Sequence, residues 1–414
     1  MSGRFLLAAT LTGSLLLSTP LRAQEWTRFR GPNGAGVSAA TTVPVQITEA
    51  DYNWRVPLEG GGHSSPVLWG KKIFLTSAQE STGKRHVLCL DASNGRRLWI
   101  RSYDFSAYPR HAFNSAASST PAVDKDHVYV IWATPDSFVV HALDHGGKEL
   151  WKQDLGAYPA QHGGASSPVV VGDTVVVARE PEGVNGCLAG LDRRTGAIRW
   201  KRERASKDAA YSTPLVYEPK SDPPEVIFTS TSHGITSLNP ETGALNWEVP
   251  GVFRARCVGS PVLVNGLVFG TAGNGAGDKQ AVAVRPGGKN GDPAPKVEYQ
   301  VSRGLIYVPT PILVGDRLFL WGDAGIVTCL RAGTGEQVWS ERVGGNFFGS
   351  PICVNGKLYA MSTKGELVVV EASDQFKVLA RSNLGEASHA TPAVADGVLY
   401  LRTEGHLISV GGKK

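Results

Sequence analysis

Short apolar runs separated by turn residues follow one another along the whole chain. In residues 67–75 two runs of Val, Leu, Trp, Ile and Phe flank a Gly-Lys-Lys turn, and residues 87–90 form a third run before an Asp-Ala-Ser-Asn-Gly turn. Short apolar runs bounded by turns are typical of β-strands packed between neighbouring sheets. No long segment repeats with the helical period, so the pattern predicts an all-β fold.

A Ser/Thr-Pro pair marks the start of each repeating unit. One unit parses as four strands: 67–68, 73–75, 87–90 and a last strand ending at Trp99. An array of such units predicts an eight-bladed β-propeller of four-stranded antiparallel blades. The pair occurs eight times at intervals of 40 to 55 residues, at Pro66, Pro121, Pro168, Pro214, Pro261, Pro311, Pro351 and Pro392.

The last unit is too short for a fourth strand, because the chain ends soon after Val410. Trp54 precedes Pro66 by twelve residues, the interval that also separates Trp339 from Pro351. We therefore expect residues 52–57 to supply the missing strand. Closing a propeller with an N-terminal strand removes an exposed sheet edge.

The N-terminal residues have the pattern of an export signal. A charged start at Arg4, an apolar run over 5–17 and a small residue at Ala23 predict a signal peptide over 1–23; an uncleaved N-terminal anchor is the alternative. We expect an arm at 24–51 and a single propeller at 52–414. The protein is then exported, periplasmic or secreted, and the mature chain has no transmembrane segment.

Charge and cysteine content exclude several classes of protein. The formal charge is +5, and basic and acidic residues are interspersed, which argues against a nucleic-acid surface. The five cysteines form no CxxC pair, so a zinc or haem motif has no support in the sequence. We expect them to be buried thiols.

A tryptophan follows most of the turns that lead into the fourth strand. Its flat apolar face suits docking against the next blade, and its N–H can reach a carbonyl there. The predicted docking residues are Trp54, Trp99, Trp151, Trp200, Trp247 and Trp339.

These motifs resemble the pyrroloquinoline quinone (PQQ) repeat. The Ser/Thr-Pro-x-Val start and the Leu-Asp-x-x-Thr-Gly-x-x-x-Trp turn carry the resemblance, which covers nearly all of the mature chain. Similar repeats build quinoprotein dehydrogenases and also a non-catalytic lipoprotein that assists outer-membrane β-barrel assembly. The dehydrogenases often carry adjacent cysteines and hold calcium beside PQQ, but this chain has no Cys-Cys pair and no residue-by-residue match to those metal ligands. It also lacks a cysteine before Cys89 to carry a lipid anchor.

Candidate binding residues lie in the loops that join the fourth strand of one blade to the first strand of the next, here called interblade loops. In a propeller these loops surround one mouth of the central channel, and functional groups concentrate on such loops. The loops before blades 2 and 3 are long and contain His111 and His162, while His63 and His389 precede blades 1 and 8. Four histidines on consecutive blades can ligate a metal or bind an anion, or they are separate loop residues bonded to backbone or water.

The opposite arc of the mouth is predicted to carry Tyr211, Arg254, Arg256 and Tyr307. Arginine suits carboxylate recognition, which the three acid groups of PQQ require; the alternative is ordinary surface arginines.

Two functions follow. The first is an exported non-catalytic binding or scaffold protein that acts through its interblade loops on an envelope protein or another envelope component, with no assured cofactor. The alternative is a PQQ-dependent dehydrogenase, or a remnant that still binds PQQ with calcium. No nucleophile or other catalytic residue is assigned.

Overall fold

Eight blades of four antiparallel strands make up the fold in the computed structural model, which confirms the predicted eight-bladed propeller; a short fifth strand extends one of the sheets. The structure describes residues 25–219, 222–275, 277–288 and 293–412, so the predicted signal peptide lies outside the described residues. Within these ranges no helix has the length and apolarity of a membrane span. Only three single-turn 3₁₀ helices are described, Pro32–Gly34, Glu49–Asp51 and Glu80–Thr82.

Each blade runs from an inner first strand to an outer fourth strand, and the first strands of several neighbouring blades contact one another around the channel. Blade 1 comprises β3 (Val67–Trp69), β4 (Lys72–Gln79), β5 (Lys84–Asp91) and β6 (Arg97–Asp104); blade 2, β7 (Ala122–Val123), β8 (His127–Thr134), β9 (Ser137–Asp144) and β10 (Glu149–Asp154); blade 3, β11 (Val169–Val171), β12 (Thr174–Arg179), β13 (Gly186–Asp192) and β14 (Ile198–Arg204); blade 4, β15 (Leu215–Tyr217), β16 (Glu225–Ser230), β17 (Gly234–Leu238) and β18 (Leu245–Val249). Blade 5 comprises β19 (Val262–Val264), β20 (Leu267–Ala272), β21 (Gln280–Arg285) and β22 (Lys296–Val301); blade 6, β23 (Ile312–Val314), β24 (Arg317–Trp321), β25 (Ile326–Arg331) and β26 (Gln337–Arg342); blade 7, β27 (Ile352–Val354), β28 (Lys357–Met361), β29 (Glu366–Glu371) and β30 (Val378–Asn383); blade 8, β31 (Ala393–Ala395), β32 (Val398–Arg402), β33 (His406–Gly411) and β2 (Tyr52–Pro57).

The N-terminal strand β2 closes the ring, as predicted. It pairs antiparallel with β33, and Trp54 lies opposite Ser409. The predicted end of the blade 1 outer strand at Trp99 is wrong, because β6 continues to Asp104. This strand is mostly exposed, so no apolar pattern marks its second half.

The blades pack face to face through apolar clusters, and residues at the predicted docking positions lie between them. The indole N–H of Trp99, for example, donates to the His145 carbonyl of blade 2 at 3.0 Å. Trp54, Trp151, Trp200 and Trp339 make the same kind of bond to the next blade.

Trp247 differs, because its N–H donates to Glu225 within its own blade at 2.9 Å. Blade 5, which follows, has Arg-Pro-Gly-Gly in place of the Thr-Gly turn that supplies a carbonyl elsewhere. Tyr299 takes the docking position of blade 5 and donates its hydroxyl to the Ala332 carbonyl at 2.7 Å. All five cysteines are buried and free.

The residues that precede β2 cross the end of the channel opposite the interblade loops. The carbonyls of Trp26 and Thr27 accept hydrogen bonds from the first strands of blades 1 and 2, and β1 (Val37–Ser38) pairs parallel with β27 of blade 7. We call residues 26–38 the plug. Its turn needs glycine at Gly31, where φ is +65° and a Cβ would collide with the Trp26 ring. The plug leaves the interblade mouth as the open end.

Candidate functional site at the channel mouth

A cavity of about 590 Å³ opens among the interblade loops. Its floor includes Phe29 from the plug. Its wall includes the eight hydroxyl residues that precede the blade prolines, namely Ser65, Thr120, Ser167, Thr213, Ser260, Thr310, Ser350 and Thr391. The Ser/Thr-Pro pair therefore begins each blade and also places a hydroxyl group in the cavity wall.

The eight hydroxyls form a belt around the channel. The backbone N–H of Ser65 donates to the Thr120 hydroxyl at 2.9 Å, and the N–H of Thr391 donates to the Ser65 hydroxyl at 3.2 Å. Five further bonds of 2.9–3.0 Å link successive blades in the same way. Each bond satisfies a buried N–H at the start of a strand, which explains why the position is Ser or Thr.

The four predicted histidines all line this cavity, in two pairs. The rings of His63 and His389 stack with centroids 4.3 Å apart, and those of His111 and His162 lie 4.5 Å apart. Burial lowers the pKa of His63 well below its ordinary value, with His389, Arg402 and Arg110 adding to the effect. Burial also lowers the pKa of His389. Both imidazoles are therefore neutral at neutral pH.

Three of the four candidates predicted for the opposite arc, Tyr211, Arg256 and Tyr307, also line the cavity. Burial raises the pKa of both phenols, so they stay protonated. Arg254 is exposed and does not belong to the described lining. Whether any of these residues binds a ligand stays a prediction.

The charged groups of this arc are engaged with one another. Arg256 forms an ion pair with Glu182 and donates to Gln161 at 3.1 Å. Lys279 contacts Asp323 at 2.9 Å, and both oxygens of Asp323 accept backbone N–H bonds, one from Tyr307. These ion pairs and hydrogen bonds hold the loops in place. They leave none of these carboxylates unpaired to act as a general base.

Four important side chains lie on hairpins that join the second and third strands of a blade, not on interblade loops. They are Glu182, Lys279, Asp323 and Glu404. An up-and-down blade turns twice at the mouth, so strand order alone places these hairpins on the same face. These four residues were therefore not among the candidates predicted from the interblade loops.

Glu404 approaches the His63–His389 pair. One potential ligand atom from each of the three residues lies within 4.8 Å of the others. The Gly60–Gly62 segment makes room for this approach, because a Cβ at Gly61 would collide with the Glu404 carboxylate. Behind the cluster the fully buried Arg402 donates to the carbonyl and hydroxyl of Ser64 at 2.7 and 2.5 Å.

Two phenylalanines meet over this part of the mouth. Phe113, from the loop before blade 2, lies with its ring 5.1 Å from that of Phe348, from the loop before blade 7. The two loops lie on either side of blades 7, 8 and 1, and Phe348 also lies 5.7 Å from the His389 ring. Phe113 is 61% exposed, so it presents an apolar face to solvent.

The lining does not fit PQQ with calcium. PQQ has three carboxylates, and Arg256 and Lys279, the Arg and Lys residues of the described lining, are both ion-paired already. Calcium requires several oxygen ligands, while Asp323 uses its oxygens on Lys279 and two backbone N–H groups.

Fold and site together define a closed β-propeller with a cavity at its interblade mouth. A PQQ-repeat family model, described as outer membrane protein assembly factor BamB, matches residues 54–218, 108–314 and 296–413. The chain belongs to this family.

Individual proteins and solved structures are also similar to this chain. BamB of Yersinia pestis is 24% identical over 357 residues, which cover 82% of each chain. The crystal structure of BamB from Moraxella catarrhalis has a TM-score of 0.61 at 16% identity and covers 88% of this chain and 96% of that one. A europium-containing methanol dehydrogenase has a TM-score of 0.68 at 14% identity, covering 94% of this chain and 98% of that one. At these identities the two solved structures show the fold alone.

Proposed function

We propose that this protein is an exported, non-catalytic scaffold of the cell envelope that takes part in outer membrane protein assembly and binds its partner through the interblade mouth. Membership of the BamB family supports the process. The observation that carries the choice of face is the exposed Phe113 over an open cavity, at the end of the channel that the plug leaves free. Exposed aromatic residues beside a concave surface are frequent anchors in protein interfaces.

The internal pairing of the charged groups supports a binding role over a catalytic one. Glu182 and Asp323 are the carboxylates of the Tyr211–Tyr307 arc, and each is held by a cation. A general base needs a free lone pair within reach of its substrate. Here the same groups serve to hold the loops that shape the mouth.

Photo-crosslinking in the producing cell tests the partner and the face. A photoreactive amino acid replaces Phe113 in one variant and Asn94 in a control; Asn94 is exposed on a turn at the opposite face of blade 1. We expect position 113 to crosslink to an outer membrane assembly component and position 94 not to do so. Crosslinks from position 94 alone would overturn the proposed face.

Deletion of the gene tests the process. We expect lower amounts of β-barrel proteins in the outer membrane, with recovery when the wild-type chain is supplied. Unchanged amounts under envelope stress would contradict the assembly role.

The cofactor alternative has its own test. Purified protein is incubated with PQQ and Ca²⁺ and desalted, and the cofactor's absorbance and dye reduction with alcohols and aldose sugars are measured. We expect neither retention nor turnover. Retained PQQ with turnover would replace the scaffold proposal by a dehydrogenase, and its loss in Arg256→Ala would locate the site.

A further inference from the structure

The closure of the propeller brings together three metal-ligating side chains that are far apart in sequence. His63 lies in the loop from blade 8 to blade 1, His389 in the loop from blade 7 to blade 8, and Glu404 in the hairpin between β32 and β33. We propose that His63, His389 and Glu404 bind a divalent transition-metal ion of the zinc class at the channel mouth. This proposal is independent of the proposed scaffold function.

The donor set selects the kind of ion. Two imidazole nitrogens and one carboxylate are a common three-ligand set for zinc, with a further position open to water or to another ligand. Calcium and magnesium prefer oxygen donors alone. His63 and His389 line the cavity, so an ion held by them would lie at its wall.

A buried nitrogen without a partner points to an occupant. Nδ1 of His389 is buried and has no hydrogen-bond partner in the described structure. Leaving a buried polar atom unpaired costs about 1–3 kcal/mol. A bound metal ion, or a water molecule on it, would satisfy this atom.

The charged groups around the cluster already have partners. Arg402 donates to the carbonyl and the hydroxyl of Ser64. Two other charges nearby have partners of their own, since Arg110 pairs with Glu80, and Glu386 accepts from Thr403 and Gly405.

Arg402 also narrows the choice of ion. Its buried guanidinium places a positive charge beside the cluster. This charge repels a cation, so a cation attracted only by the negative charge of Glu404 would bind weakly. Coordination by neutral imidazoles depends less on net charge, and it follows the order in which copper and zinc bind more tightly than manganese.

The other histidine pair provides a matched control. The ring centroids of His111 and His162 lie at nearly the same distance, 4.5 Å, in the same cavity, although the rings are tilted. Their nearest described carboxylate, Glu182, is held by Arg256 and by the Gln161 N–H. This pair therefore lacks the third ligand.

Calorimetric titration with ZnCl₂ tests the proposal on the full mature chain, prepared without a histidine tag and stripped with EDTA. We expect one ion per chain, and a loss of affinity of at least roughly 10–100-fold in His389→Asn and in Glu404→Gln, since even outer-shell changes can cost that much. His111→Asn should leave the affinity unchanged. Cobalt substitution should give visible d–d absorbance in the wild type and in His111→Asn only.

The unfolding temperature with and without zinc shows whether a variant that does not bind zinc is still folded. Bound zinc should raise the unfolding temperature of the wild type and of His111→Asn but not that of Glu404→Gln. Absence of zinc binding by the wild type, or an equal loss in His111→Asn and Glu404→Gln, would overturn the proposal.

Discussion

The two ends of the channel are built from the same eight inner strands and yet are filled in opposite ways. At the plug end the chain itself occupies the space, and Trp26 and Arg30 are fully buried. At the mouth the chain leaves a cavity of about 590 Å³ lined by hydroxyls, imidazoles and tyrosines. Burial lowers the pKa of Arg30 to about 9, which still leaves its guanidinium charged at neutral pH.

This difference suggests that the plug end contributes to the stability of the fold and the mouth to binding. Trp26 and Arg30 of the plug are fully buried within the chain, so their substitution should change the free energy of unfolding. Side chains of the mouth face open space, and one of them, His389, has a buried nitrogen that finds no hydrogen-bond partner among the described residues. Their substitution should change binding more than folding.

The largest contrast is expected between two aromatic residues. Trp26→Ala should lower the free energy of unfolding by about 3–5 kcal/mol, because it removes a fully buried indole and leaves a cavity under blade 1. Phe113→Ala at the mouth should change it by less than about 0.5 kcal/mol. Denaturant unfolding measures both, and equal losses would contradict the separation of the two ends.

Blade number and closure could be predicted because they follow from spacing. The interval from Trp54 to Pro66 equals that from Trp339 to Pro351, and a closed ring has no other place for the strand. The plug could not be predicted beyond a turn and an arm. Its buried Arg30 is stabilised by contacts distant in sequence, including the Pro351 carbonyl, and no local pattern records such contacts.

The mouth could be predicted only in part, for a topological reason. Interblade loops are visible in the sequence as gaps between repeats, so His63 and His389 were found there. Glu404 and Asp323 lie in short hairpins that look like ordinary turns. Applying the up-and-down strand order to every hairpin would have placed them on the same face.

The next prediction compares a buried ion pair with an ion pair at the mouth. Glu180 and Arg204 are almost fully buried, while Glu182 and Arg256 face the mouth. Arg204→Met should destabilise the fold by about 3 kcal/mol, because it leaves Glu180 buried without its cation. Arg256→Met should cost less than Arg204→Met, because both side chains of the mouth pair keep partial contact with solvent. The free energy of unfolding of each variant at neutral pH checks this order.

The pH dependence distinguishes a lost ion pair from lost packing. Burial already raises the pKa of Glu180, and removal of Arg204 raises it further. The folded variant then binds more protons than the unfolded chain, so its stability falls as the pH rises through the range between the two pKa values and recovers on acidification. A loss that is the same at every pH would indicate packing alone.

A smaller effect is expected in the hydroxyl belt between the two ends. Thr391 accepts the buried N–H of Ser350 at 2.9 Å. Thr391→Val keeps the shape and removes the acceptor, so we expect a loss of about 1–3 kcal/mol. Thr391→Ser keeps the acceptor and should lose clearly less, whereas equal losses would show that the methyl group matters and the hydroxyl does not.

The smallest effect concerns protonation at the mouth. Burial lowers the pKa of His162, and the neighbouring His111 and Arg256 lower it further, while Glu182 opposes them. Between the lowered pKa and the unfolded value the unfolded chain binds more protons, so stability falls as the pH drops below about 6.5. His162→Asn removes this contribution and should lose less stability than the wild type between about pH 7 and pH 5. Unfolding temperatures across that range measure the difference, and parallel pH profiles would mean that His162 titrates alike in both states.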